Sequence, residues 1–276
     1  MRVERPRPRI AVRLLGSALL ALGLGLAHGA IADEERAAPS SGPHRVFEHE
    51  LFFSEAGRAV RHLVFTPSSY PAASASNPPG ERGPAGPWPL LVGLHGTAGE
   101  PEQVLGFQRL LELAERFGFL VVCPHSSGRG ELHHRYVLRV VEDVEERYAV
   151  DPGAIFLMGF SRGGGGVWEL GARFPDRWAG LAPISPATPT RAPRLEGLRH
   201  LPVIVVQGDR DRAVSVPTTR RWVRQMEELG MTHQFLELPG VGHDLSRVNF
   251  LPAVFRFFEA QRRHGPPQAR SFRAPR

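Results

Sequence analysis

Apolar residues in the middle and later parts of this chain come in short runs. They occupy residues 90–94, 119–123, 155–159, 180–184 and 203–206, and residues 234–238 read as a sixth strand. Between them the spacing becomes helical: over 105–117, at Val137, Val140, Val141, Val144 and Tyr148, from Val167 to Phe174, over 220–229 and over 250–261. Runs without polar alternation, separated by helices with one apolar face, predict a mostly parallel sheet covered by helices on both sides, an α/β architecture. Ahead of them, residues 45–53 and 60–66 read as two strands joined by a turn at Glu55-Ala56-Gly57, an antiparallel opening hairpin. Residues 67–88, rich in Pro, Ala, Ser and Gly, read as a surface loop.

The first residues follow a different logic. Arg2, Arg5, Arg7, Arg9 and Arg13 precede an apolar run over 14–27, and Ala30-Ile31-Ala32 offers small residues where a signal peptidase reads. This predicts a Sec-type signal peptide over 1–32, cut after Ala32, and a secreted or periplasmic protein. The run is short of the ~20 residues of a spanning helix and contains Gly16, Gly23 and Gly25, so no stable membrane insertion of the mature chain is expected. The remaining division is a polar, loose segment over 33–44, one large domain over 45–261 and a basic tail over 262–276.

Composition adds three constraints. The net charge is +6, but residues 1–32 carry five Arg and one Glu, and 262–276 carry five Arg; without both segments the body is about −3. Charge therefore makes no case for a nucleic-acid partner. All 34 basic residues are Arg, which excludes a lysine catalyst. The single cysteine, Cys123, cannot form an internal disulfide and ends an apolar run, so it reads as a buried small hydrophobe.

The pattern that carries chemistry is Gly159-Phe160-Ser161-Arg162-Gly163, set between the run 155–158 and the helix from Val167. A serine on a sharp strand-to-helix turn projects its hydroxyl above the sheet edge, and small neighbours let the strained backbone close. A serine nucleophile needs a base on a later loop. His243, in Gly240-Val241-Gly242-His243-Asp244 just after the strand read over 234–238, is the candidate. The base needs an orienting carboxylate, and both Asp209 and Asp211 follow the run 203–206. Asp211 stands further into the loop and is preferred, with Asp209 as a turn residue capping local N–H groups. For the oxyanion, His95-Gly96-Thr97-Ala98-Gly99 follows the run 90–94 and can bring the Thr97 N–H beside that of Arg162. Gly159, Gly163, His95 and Gly96 are supporting positions.

These residues give the chain a resemblance. Leu94-His95-Gly96, the stretch from Val150-Asp151-Pro152 through Gly166, Phe174-Pro175-Asp176-Arg177-Trp178, Gly208 to Val214 and Gly242-His243 are similar to the α/β-hydrolase superfamily, among its secreted esterases and its feruloyl-esterase-like, polyhydroxybutyrate-depolymerase-like and prolyl-oligopeptidase-like members. The resemblance covers roughly 45–260. It implies the α/β-hydrolase fold and an acid three residues before a valine, which selects Asp211. Two departures stand out: depolymerase-type relatives often pair cysteines, and the position of Arg162 is often Ala, Met, Asn or Gln.

Other residues receive plainer readings. His133-His134 are expected in a solvated loop ahead of a helix, Trp168 as packing between helix and sheet, the Arg162 side chain as solvated or paired locally, and His125, Ser126 and Ser127 as candidates to line the cleft. The segment 185–199 is too short for a large lid. The expected activity is cleavage of a small-molecule or polymeric carboxylic ester through Ser161, His243 and Asp211, with no metal or organic cofactor. A serine peptidase and a non-catalytic binding module on the same fold are the alternatives, and the oligomeric state is open.

Overall fold

The computed structural model describes residues 44–71, 87–187 and 195–264. The reading of a signal peptide over 1–32 lies outside these residues, as do the loose segment 33–44 except His44, the basic tail 262–276 beyond His264, and parts of the loop 67–88 and of the segment 185–199; residues 262–264 belong not to a tail but to the closing helix.

One eight-stranded sheet organises the described residues. Its strands are β1 (Arg45–Phe53), β2 (Arg58–Thr66), β3 (Trp88–Leu94), β4 (Leu120–Pro124), β5 (Val150–Phe160), β6 (Gly180–Ile184), β7 (Val203–Gly208) and β8 (His233–Leu238). They lie in the order β1-β2-β4-β3-β5-β6-β7-β8. β1 pairs antiparallel with β2 and β2 antiparallel with β4, while all later pairings are parallel. Among the described residues the α-helices are α1 (Pro101–Leu105), α2 (Leu110–Phe117), α3 (Glu131–Arg147), α4 (Arg162–Arg173), α5 (Val216–Glu228) and α6 (Leu251–His264).

The unbroken apolar runs have a direct cause. Successive side chains on a strand point to opposite faces, and here both faces are covered. Leu90, Val92, Leu94, Ile155 and Leu157 join Val140, Val167 and Trp222 in one core, with α3, α4 and α5. Leu91, Val121, Phe156 and Met158 join Val104, Leu110 and Phe255 in the other, with α1, α2 and α6. Trp168 is wholly buried on the first side, against Trp222, and Cys123 is wholly buried on the second, where burial pushes its thiol pKa up.

Two local expectations are corrected. The helical pattern over 105–117 is not one helix but two, because the chain turns at Gly106 and takes a left-handed conformation at Arg109. The turn sets Phe107 against Phe160 and Phe250. His133 and His134 stand in the first turn of α3, not in a loop ahead of it. His134 is buried because Glu169 of α4 lies 3.1 Å from its Nε2, and His133 Nδ1 lies 3.2 Å from Ser126 Oγ.

The sheet also buries a histidine outside any apolar pattern. His62 of β2 is wholly buried, faces His49 of β1, and has Nε2 3.3 Å from Asp143 Oδ2 of α3, a carboxylate already held by Arg147. Burial pushes its pKa down more strongly than Asp143 raises it, with the charges of His49 and Arg147 adding to the fall. The unfolded chain then takes up a proton near pH 6.5 that the folded chain resists, so the contribution of His62 to stability is constant above that pH and declines below it. His134 is shifted the same way by burial. The thermal midpoint should hold between pH 7 and 8 and fall on acidification from 6.5, and His62→Gln should flatten part of that slope. A midpoint independent of pH between 7 and 5 would contradict this account.

Candidate active site

Sheet order decides where the chemistry-bearing loops meet. From β3 the chain passes to β4 on one side, and then by α3 to β5 on the other. At this reversal the loops leaving β3 and β5 diverge to opposite faces and open a crevice at the strands' carboxyl ends. Ser161 follows β5 there, His95 to Gly99 follow β3, Asp211 follows β7 and His243 follows β8.

Ser161 sits at φ 54°, ψ −114°, a conformation that strains any residue but glycine by about 1–3 kcal/mol. Its surroundings hold it there: Ser161 N–H donates to Ile184 O at 2.9 Å, and Ser161 O accepts from Gly165 N at 3.0 Å and Ala187 N at 2.8 Å. The turn closes so tightly that a Cβ at Gly163 would overlap the carbonyls of Leu94 and His95, and one at Gly159 would overlap Gly163. The two glycines are thus required by contact with backbone, which cannot yield.

The three candidate side chains meet. Ser161 Oγ lies 2.9 Å from His243 Nε2, and His243 Nδ1 lies 2.7 Å from Asp211 Oδ2. The histidine loop is tied to the aspartate loop by Arg210 N donating to Val241 O at 2.9 Å and Asp209 N to Leu238 O at 3.1 Å. At Gly208 a Cβ would strike the carbonyls of Val241 and Gly242, so this close approach needs glycine. The Phe160 ring lies 5.1 Å from the His243 ring, centroid to centroid, and gives the imidazole an apolar wall.

The architecture has counterparts among solved structures. The chain superposes on the fluorophosphonate-binding serine hydrolase F of Staphylococcus aureus with a TM-score of 0.64 at 14% identity, covering 80% of this chain and 99% of that one. It superposes on the S-formylglutathione hydrolase of the same organism with a TM-score of 0.66 at 14% identity, covering 82% and 99%. The chain has the α/β-hydrolase fold. In sequence, it is 26% identical over 130 residues to the bifunctional acetylxylan esterase/xylanase of Neocallimastix patriciarum, a match that takes in 45% of this chain and 19% of that relative's length. No protein-family model matches it.

Within this α/β-hydrolase fold the loop after β3 faces the start of α4. Gly96 N donates to Gln103 Oε1 at 2.9 Å and Gly99 N to Gly96 O at 3.3 Å, which fix the loop around Thr97. Arg162 is the first residue of α4, where backbone N–H groups have no partner within the helix and the dipole favours negative charge. His95 is buried and its pKa is pushed down by that burial, aided by the charges of His125 and Arg162. Its Nδ1–H donates to Gly96 O at 2.8 Å, so the ring braces the loop as a neutral imidazole. The Arg162 side chain is paired, but with a distant part of the chain: its Nε donates to Ser127 Oγ, 35 residues away in sequence, at 3.0 Å. Ser127 is thereby tied to the first residue of α4, and the His125 ring stands 5.8 Å from that of His95.

Asp209 and Asp211 part company in the structure. Asp209 accepts from Gly240 N at 2.7 Å, so it caps an N–H of the histidine loop and not one near it in sequence. Asp211 is buried, and its Oδ1 accepts from Ala213 N and Val214 N, both at 2.9 Å. A residue not singled out from the sequence completes its surroundings: Gln207 Nε2 donates to Asp211 Oδ2 at 3.0 Å. The available signal was a glutamine closing the apolar run of a strand buried on both faces, where a polar side chain needs a specific partner.

A groove of about 890 Å³ runs along the outer edge of β8 between α5 and α6, lined in part by Val223, Phe235 and Phe257, but Ser161, Asp211 and His243 do not line it. Among the described residues no three His, Cys, Asp or Glu side chains are grouped to hold a metal ion. None of the helices described is long and apolar enough to cross a membrane.

Proposed function

We propose that this protein is a serine hydrolase of carboxylic esters, with Ser161 as nucleophile, His243 as general base and acid, and Asp211 as the orienting carboxylate. The observation that carries the reading is the continuous contact from Asp211 Oδ2 through both ring nitrogens of His243 to Ser161 Oγ, at 2.7 and 2.9 Å. With Nδ1–H donated to the carboxylate, Nε2 presents its lone pair to the serine hydroxyl.

Ser161 Oγ attacks the ester carbonyl as its proton passes to His243 Nε2. The negative charge that develops on the carbonyl oxygen is held by the N–H groups of Thr97 and Arg162, and the α4 dipole adds to that field. Collapse expels the alcohol, which takes the proton from Nε2 and leaves an acyl group on Ser161. Water, deprotonated by His243, then attacks the acyl carbon and releases the acid. None of these steps draws on a group other than the chain's own residues and water. The names of the relatives agree with this class: one is an esterase, one a serine hydrolase that binds fluorophosphonate, one a hydrolase. The substrate is a small-molecule or polymeric ester. The export signal read in residues 1–32 supports a reaction outside the cytoplasm.

The test pairs turnover with labelling. Purified protein should hydrolyse p-nitrophenyl acetate and butyrate faster than aminoacyl p-nitroanilides, and a fluorophosphonate probe should modify Ser161, read by mass spectrometry of the labelled peptide. Amide cleavage outpacing ester cleavage would favour a peptidase. Absence of both label and turnover would favour a binding module and overturn the proposal.

A further inference from the structure

The carboxylate of Asp211 stands at the end of a buried chain of side chains that reaches into α5. Gln207, the penultimate residue of β7, and Thr219, in the first turns of α5, are both buried to about one per cent or less, and neither faces the cleft. Thr219 Oγ1 donates to Gln207 Oε1 at 3.0 Å, and Gln207 Nε2 donates to Asp211 Oδ2 at 3.0 Å. That oxygen is the one that accepts from His243 Nδ1.

The direction of this chain follows from its chemistry. A glutamine amide can turn end for end, and one orientation would set its carbonyl oxygen against the Asp211 carboxylate. The ionised Asp211 carboxylate only accepts, so the NH₂ group must face it, and the Thr219 hydroxyl, able to give or take a hydrogen bond, then donates to the carbonyl oxygen on the far side. Asp211 then accepts four bonds: Ala213 N and Val214 N on Oδ1, Gln207 Nε2 and His243 Nδ1 on Oδ2. These use the roughly four acceptor sites of a carboxylate and fix both its plane and its rotation. A buried charge with fewer partners is destabilised or turns to find others.

We infer that Gln207, locked by Thr219, is a positioning residue that orients Asp211 and sets how strongly it favours the protonated form of His243. The inference rests on the proposed roles of Ser161, His243 and Asp211. Gln207 shares the electron density of Oδ2 with the imidazole N–H. Without that donor the oxygen keeps more negative charge, holds the imidazolium more firmly and is free to rotate. The base is then occupied by a proton at higher pH, and the chemical step slows while substrate contacts remain.

The test is a cycle on ester hydrolysis. Gln207→Leu, close in volume but unable to donate, should lower kcat about tenfold, with KM changed less than about twofold, since loss of a charge-assisted hydrogen bond typically costs this order. The acid limb of its kcat/KM profile should move to higher pH. Thr219→Val should lower kcat about threefold when Gln207 is present. Added to the Gln207→Leu variant, it should leave kcat unchanged, because the threonine acts only through the glutamine. Additive losses in the double variant, a fall confined to KM, or an unmoved acid limb would each overturn the inference. Should Gln207→Leu fail to fold, judged by its thermal transition, Thr219→Val alone still decides: a wild-type rate and profile would refute the coupling. Ser161→Ala run in parallel keeps the two claims apart. If it retains activity, the proposed function has failed; if it is inactive while Gln207→Leu behaves as wild type, only the role of Gln207 has.

Discussion

Ser161→Ala should lower kcat for a p-nitrophenyl ester by at least about a thousandfold, by analogy with the large losses that follow removal of a triad nucleophile. The variant should remain folded. Ser161 Oγ contacts His243, whereas the turn is held by the Ser161 backbone through Ile184, Gly165 and Ala187. Alanine accepts the same positive φ at about the same strain, so the thermal midpoint should move little, and a fluorophosphonate probe should no longer label residue 161. The residual rate is informative. The Thr97 and Arg162 N–H groups and the helix start at Arg162 survive the substitution, so a rate above that in water should persist. A variant that turns over ester at the parental rate would remove Ser161 from the mechanism.

Asp211→Asn should be nearly as damaging, with a fall in kcat of about a thousandfold to ten-thousandfold. The size comes from tautomer, not from lost volume. Every group around the Asp211 carboxylate in the proposed state is a donor: Ala213 N, Val214 N, Gln207 Nε2 and His243 Nδ1. An asparagine has one oxygen and one NH₂ group. The two backbone N–H groups cannot move away, so they claim the oxygen and leave the NH₂ facing Gln207 and His243. Nδ1 of His243 must then accept, its proton moves to Nε2, and the ring meets Ser161 Oγ with a donor where the reaction needs a lone pair. Because the defect is a misplaced proton, kcat should fall and KM change little. A fall in KM alone, or none at all, would show that Asp211 does not set the ring's tautomer.

How far these residues could be read before folding varies in an instructive way. The parallel sheet was legible because a strand covered on both faces is apolar at every position, and 90–94 and 155–158 are such strands. The serine turn was legible because Gly159 and Gly163 are required by backbone crowding and little else could stand there. Helix limits were less so. The pattern over 105–117 has one apolar stripe, yet it holds a break that turns Phe107 against Phe160 and Phe250, contacts with no trace in local spacing. His133 and His134 showed the same limit, since the partner that brings His134 inside, Glu169, is 35 residues away.

The chain's own order of residues therefore determined its layered architecture, the turn that carries Ser161, and the set Ser161, Asp211 and His243 as candidates. These rest on short-range rules: side-chain period along a strand, steric limits on the backbone, and which side chains can give or take a proton. Tertiary structure alone decided the close contact of Asp211 with His243, that Asp209 caps Gly240, and that Gln207 and Thr219 stand behind Asp211. Those outcomes turn on separations of about 3 Å between groups up to 32 residues apart, set by how β7, β8 and α5 pack, and no local pattern encodes a distance of that kind.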